Sequence, residues 1–181
     1  MNNSKNTLPL SHPAKLICTW FGSGLLPKAP GTAGSLAALP FAYIIHSIGG
    51  NDALLIASLI AFVIGWKATQ YYLNYTDSKD PKEVVIDEVA GQWFLLSFLP
   101  PTWIAYVFGF LLFRFFDVLK PWPISWVDRK VKGAMGVMLD DMLAAFLPFI
   151  VVGLLIILGQ LNGTPIKFTG FMEFLAGQHV Q

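Results

Sequence analysis

From residue 53 to residue 73 the chain carries a single charge, Lys67. Long, nearly uncharged runs like this one recur along the sequence, and they limit the architecture. An apolar run of about 20 residues must satisfy its own backbone, as a helix does, inside a core or a bilayer. The chain is 55 % hydrophobic and only 13 % charged. Its charges gather between residues 111 and 145, where Arg114, Asp117, Lys120, Asp128, Arg129, Asp140 and Asp141 interrupt apolar sequence. A charge at the centre of a bilayer costs roughly 2.5–3.5 kcal/mol on insertion scales, so charges in such company usually have a function.

Read in order, the sequence predicts an all-α integral membrane bundle with about four apolar passages and its charged residues on one face. Residues 1–15 read as a disordered polar N-terminus, 16–160 as the membrane domain, and 161–181 as a short tail. No cleavable signal peptide is evident. Residues 16–34 read as loop, because Phe21-Gly-Ser-Gly24 and Pro30-Gly-Thr-Ala-Gly-Ser35 are rich in glycine. Thr32 or Ser35 is the expected N-cap of a first helix over residues 35–48, with a kink at Pro40. A tight turn at residues 49–52 leads to a second helix over 53–73. Residues 84–99 and 102–116 form a shorter hairpin broken by Pro100-Pro101. An amphipathic connector over 124–138 precedes a last helix from Asp140.

With alternating passages, Lys5, Lys15, Lys28 and the basic residues from Lys79 to Lys132 fall on one side. The opposite turns carry no Lys or Arg. This asymmetry places the charged side in the cytoplasm. The same alternation returns Asp87-Glu88, the 114–120 stretch, Asp128-Arg129 and Asp140-Asp141 to one membrane face.

The chemistry of that face follows from its residue types. Arg114 and Asp117 are three apart and share a helix side. Adjacent carboxylates such as Asp87-Glu88 and Asp140-Asp141 raise each other's pKa unless a cation offsets them. Oxygen donors without nearby His or Cys suit a hard cation, Mg²⁺. Asp87, Glu88, Asp117, Asp140 and Asp141 are therefore the candidate metal ligands. Arg114, Arg129 and Lys120 can neutralise phosphate oxygens. Gly31, Thr32 and Ser35 can offer anion-binding groups at a helix N-terminus. Asp117, Asp128 and Lys120 are the candidate catalytic groups.

Other features carry less. Lys79, Lys82, Lys130 and Lys132 read as interfacial anchors, Asp77 and Asp80 as loop residues, and Trp93, Trp103, Trp122 and Trp126 as interface tryptophans. Cys18, the only cysteine, reads as a small buried residue. A net charge of +1 argues against nucleic acid.

The stretches Phe21-Gly-Ser-Gly-Leu25, Pro30-Gly-Thr32, Asp87-Glu88 with Gly91 and Trp93, Arg114 with Asp117, Lys120-Pro-Trp-Pro-Ile124, Asp128-Arg129 and Asp140-Asp141 together resemble the phosphatidylglycerophosphatase A family. Ala134 departs from the family's usual glycine. The resemblance implies a Mg²⁺-dependent lipid phosphatase of the bacterial inner membrane, acting on the phospholipid phosphatidylglycerophosphate within the lipid bilayer. Two other classes compete: another membrane phospholipid phosphotransferase, and a non-enzymatic divalent-cation carrier. The first needs an Asp-Gly-x-x-Ala-Arg core that this sequence lacks. The second needs carboxylates deep in the spans, whereas these lie at helix ends.

Overall fold

The computed structural model describes residues 8–78, 80–161, 172–173 and 176–177. The N-terminal heptapeptide, Lys79 and most of the 161–181 tail lie outside these residues, so the expectations for them are untouched. Among the described residues the secondary structure is helix and turn, with no strand. The six α-helices are α1 (Pro13–Cys18), α2 (Pro30–Tyr72), α3 (Ile86–Leu96), α4 (Trp103–Leu119), α5 (Ile124–Lys130) and α6 (Ala134–Leu161).

Several boundaries differ from the sequence reading. His12 caps α1 by accepting from the Ala14 N–H, so residues 13–18 are helix and not loop. Helix α2 begins at Pro30, five residues before the expected start. Proline is favoured at a first helical position because its missing N–H would have no partner there. Thr32 and Ser35 are therefore inside the helix and neither caps it. The Ser35 hydroxyl donates back to the Gly31 carbonyl at 3.0 Å. Pro40 leaves helical backbone angles intact. The break in α2 is Gly50, at φ 70° and ψ −166°, a conformation glycine reaches without steric cost.

That break reverses the chain. Along the first arm, Gly34 lies against Val85 and the Ala38 carbonyl accepts from the Trp93 indole. Along the second, Gly65 lies against Ile86 and Ser58 donates to the Ala90 carbonyl. Numbers rise together on one arm and oppositely on the other, so the arms run antiparallel with α3 between them. The expected turn at residues 49–52 is thus present, compressed to one residue.

Helix α3 is the axis of the molecule. Of its 11 residues, Ile86, Asp87, Val89, Ala90, Gly91, Gln92, Trp93, Leu95 and Leu96 are buried. It packs on α2, α4 and α6. Trp93, expected at an interface, is core: it is 6 % exposed and its indole N–H is spent on Ala38. Trp103, Trp122 and Trp126 are exposed as expected. Helix α4 buries Tyr106, Gly109, Phe113 and Asp117 on one side and exposes Trp103, Val107, Leu111, Phe115 and Val118 on the other. That spacing of three and four residues is the helical period.

Two segments are long and apolar enough to cross a membrane, 30–75 and 134–151, by length and composition alone. The expectation of four passages is thus not met: α3, at about 1.5 Å per residue, is far too short, and α4 has only 17 residues. The apolar content that suggested a span in α3 is explained by its burial on all sides.

Candidate active site

Four helix ends meet at one end of the bundle. Asp87 and Glu88 open α3, Arg114 and Asp117 lie in the last turns of α4, Lys120 caps it, and Asp140 and Asp141 lie near the start of α6. The N-terminus of α2 completes the wall. A Cβ on Gly31 would collide with Glu88 Oε1 and press on Arg114 Nη1 at 3.2 Å, so only glycine lets α2 approach this closely. Between them lies an open cleft of about 340 Å³.

The charges sort into two kinds. Arg114 Nη1 lies 2.5 Å from Asp117 Oδ2 and 3.7 Å from Glu88 Oε1. Lys120 Nζ lies 2.5 Å from Asp140 Oδ2 and 3.1 Å from Asp128 Oδ1. Each cation is thus clasped by two carboxylates. Lys120 reaches them from a left-handed backbone, φ 42° and ψ 54°, a conformation that costs a non-glycine residue roughly 1–2 kcal/mol. Burial opposes its charge, but Asp140 and then Asp128 more than offset that and hold the ammonium above the usual lysine range.

In the second kind, carboxylates outnumber the cation that serves them, Arg114 at Glu88. Asp87, Glu88 and Asp141 each place a carboxylate oxygen within 4.8 Å of the other two. Glu88 Oε2 and Asp141 Oδ2 are buried and accept no hydrogen bond. Burial, then the charge of Glu88, pushes Asp87 well above the usual carboxylate range; burial and then Asp141 do the same to Glu88. One turn behind Glu88, Gln92 is fully buried with neither amide atom bonded. Orphaned buried oxygens are rare because each forfeits its hydration, at about 1–3 kcal/mol and more for a charged group. Three hard oxygen donors at this spacing, with Arg114 near Glu88 and two carboxylate oxygens left without a partner, fit a small hard cation.

Most residues expected at the site line the cavity: Asp87, Glu88, Gly31, Arg114, Asp117, Lys120, Asp140 and Asp141; Asp128 lines the adjoining cavity and reaches this one through Lys120. The N–H groups of Gly31 and Thr32 precede the first intrahelical bond of α2, Ala33 to Ala29, and have no helical partner. Ser35 points its hydroxyl into its own helix. Arg129 is exposed on α5 and does not line the cavity. Cys18 is buried against Thr69, with its thiol pushed up to about 11 by burial, which suits a packing role and not a nucleophile.

Two cavity residues went unrecognised in the sequence. Asp80 and Lys82, on the turn between α2 and α3, line the same cavity. Their signal was positional: a turn leading into the helix end that carries Asp87 must lie at the same face.

A sequence model of the phosphatidylglycerophosphatase A family matches residues 16–156. A phosphatidylglycerophosphatase A of Escherichia coli K12 is 40 % identical over 149 residues, covering 78 % of this chain and 82 % of the relative. That of Haemophilus influenzae Rd is 38 % identical, covering 83 % and 93 %. A Bacteroides thetaiotaomicron protein named as a phosphatidylinositol-3-phosphatase is 38 % identical, covering 76 % and 89 %. No solved structure matches. The match spans every helix that contributes to the site, and on that basis the chain belongs to the phosphatidylglycerophosphatase A family.

Proposed function

We propose that this protein is a Mg²⁺-dependent phosphatase that hydrolyses phosphatidylglycerophosphate to phosphatidylglycerol and phosphate at the cytoplasmic face of the bacterial inner membrane. The observation that carries the reading is the pairing of a crowded Asp87, Glu88 and Asp141 cluster, with two buried oxygens left unpartnered, with two clasped cations around one cavity. The relatives' names supply the substrate.

Asp87, Glu88 and Asp141 are the residues that would hold the ion, with Asp117 and Asp140 close by. When bound, it supplies a Lewis acid for the phosphate oxygens. Arg114, oriented by Asp117, and Lys120, oriented by Asp140, contact the remaining phosphate oxygens and steady the charge that develops as the P–O ester bond breaks. The α2 N-terminus at Gly31 and Thr32 adds backbone donors. Asp128 Oδ1 is held by Lys120; its side chain is 42 % exposed, and its second oxygen is free to take a proton from the attacking water.

The membrane reading rests on exposed apolar surface. Both arms of α2, one side of α4 and the outer side of α6 expose large aliphatic and aromatic residues. A soluble monomer rarely shows so much. Trp103 and Trp122 are exposed at either end of α4, where interfacial tryptophans are favoured. The excess of basic residues on the loops at the cavity's end supports a cytoplasmic orientation.

A second reading keeps the reaction and changes the headgroup, because one relative carries a phosphoinositide in its name. Phosphate release from short-chain phosphatidylglycerophosphate and from phosphatidylinositol 3-phosphate, in detergent with Mg²⁺ or with EDTA, separates the two. Release from the first substrate with Mg²⁺ and none with EDTA is expected. Full turnover in EDTA overturns the metal assignment, and release from the inositide alone overturns the substrate.

A further inference from the structure

The turn between α2 and α3 forms a wall of two adjoining cavities. The first, about 340 Å³, holds the Asp87, Glu88 and Asp141 cluster. The second, about 440 Å³, is lined by Asp128, Lys132 and Gly136 at the start of α6. Asp80 and Asp140 line both, so Asp80 stands where the two meet.

The turn is braced and not slack. The Val84 N–H bonds the Pro81 carbonyl at 2.9 Å, and the Val85 N–H bonds the Cys18 carbonyl at 2.8 Å. Pro81 is buried, and Ser78 Oγ accepts from the Asp80 N–H at 3.2 Å. Tyr72 donates to Glu83 at 2.9 Å, which holds that carboxylate away from its neighbour. Asp80 and Lys82 are exposed into the cavity, and among the described residues neither side-chain charge is engaged by a partner. The contrast with Arg114 and Lys120 is plain, since those cations are already clasped.

The substrate in the preceding section has three polar units: a terminal phosphomonoester, a glycerol carrying a free hydroxyl, and a phosphodiester to the diacylglycerol. The monoester belongs with the carboxylate cluster and its flanking cations. We infer that Asp80 and Lys82 are specificity-determining residues that read the rest of the headgroup, Asp80 accepting a hydrogen bond from the glycerol hydroxyl and Lys82 pairing with the phosphodiester. A carboxylate is the acceptor a hydroxyl needs, and a free ammonium is the point charge a diester needs. The braced turn presents both without ordering cost. This inference rests on the proposed substrate and extends it.

The test compares phosphatidylglycerophosphate with phosphatidic acid, which has the monoester but neither the glycerol nor the diester. In mixed micelles, Asp80→Ala and Lys82→Ala each lower kcat/KM for the first substrate about ten- to a hundredfold, the worth of one hydrogen bond to a charged group, mainly through KM. The value for phosphatidic acid stays within about twofold in both variants, since contacts outside its headgroup are worth little to it. Lys82→Arg restores much of the loss. Equal losses on both substrates, or no loss on either, overturn the inference while leaving the phosphatase reading standing. A parent protein that releases no phosphate from phosphatidylglycerophosphate overturns both.

Discussion

The two ends of the bundle treat buried polar groups in opposite ways. At the Gly50 end, His46 is 3 % exposed and fully used: Nδ1 lies 3.1 Å from the Tyr106 hydroxyl and Nε2 lies 2.7 Å from Asn51 Oδ1. This network ties the hairpin turn of α2 to α4 and leaves nothing over. At the other end, Glu88 Oε2, Asp141 Oδ2 and both amide atoms of Gln92 are buried with no partner. A satisfied polar cluster rigidifies a fold, whereas an unsatisfied one lowers stability and persists for what it binds. Polarity and burial are alike at the two ends; hydrogen-bond accounting tells them apart.

The largest expected effect lies at the unsatisfied end. Glu88→Gln and Asp141→Asn each lower kcat by at least ~100-fold, the usual scale for losing a key electrostatic group. Both variants keep or raise the Tm of the metal-free protein, because each removes one charge from a crowded, buried carboxylate cluster. A variant with parental kcat would make the two ends equivalent and erase the contrast.

The next effect is in stability against pH. The folded state holds protons on Asp87 and Glu88 more tightly than the unfolded chain, whose carboxyls titrate near their ordinary values. The unfolded chain therefore loses its protons first as pH rises. Stability of the EDTA-treated protein falls from about pH 4 upward and continues to fall until the folded carboxyls ionise. Mg²⁺ flattens that slope by binding the ionised form of the native state. Thermal melts across pH in detergent, with and without the ion, measure it. A slope of opposite sign would mean that Arg114 and the surrounding donors outweigh the burial and crowding of these carboxylates.

The smallest effect belongs to the satisfied end. His46→Ala orphans the buried Tyr106 hydroxyl, at about 1–3 kcal/mol, while kcat stays within about twofold of the parent. Coupled loss of Tm and kcat would mean that the two ends are not energetically separate.

The sequence reading located the charged face because helix ends and apolar runs are local signals. Arg114 and Asp117 follow from their spacing, and the antiparallel hairpin follows from glycines between two apolar runs. It misplaced what depends on tertiary packing. Trp93 looks like an interface residue until α2 is known to cover it, and α3 looks like a span until its neighbours are known to surround it. The start of α2 was missed because glycines and threonine read as loop, and the proline that opens the helix was counted with them. Arg129 shares a motif with Asp128, but neighbours on a helix point about 100° apart, and only Asp128 faces Lys120. Asp80 and Lys82 were passed over because exposure in a loop looks the same in sequence whether the loop faces solvent or a cavity.

The division of the site among separate segments also has a consequence in time. Asp87 and Glu88 leave the ribosome well before Asp141, and their burial is completed only when α6 packs against α3. Until then the two acidic residues remain hydrated and titrate as ordinary carboxyls. Docking of the last long helix is the event that strips their water, so the crowded carboxyls must take up protons, or the cation proposed for the site, as the bundle closes. On that proposal, assembly of the fold and loading of the ion are one step in biosynthesis, and a chain cut short before α6 lacks both.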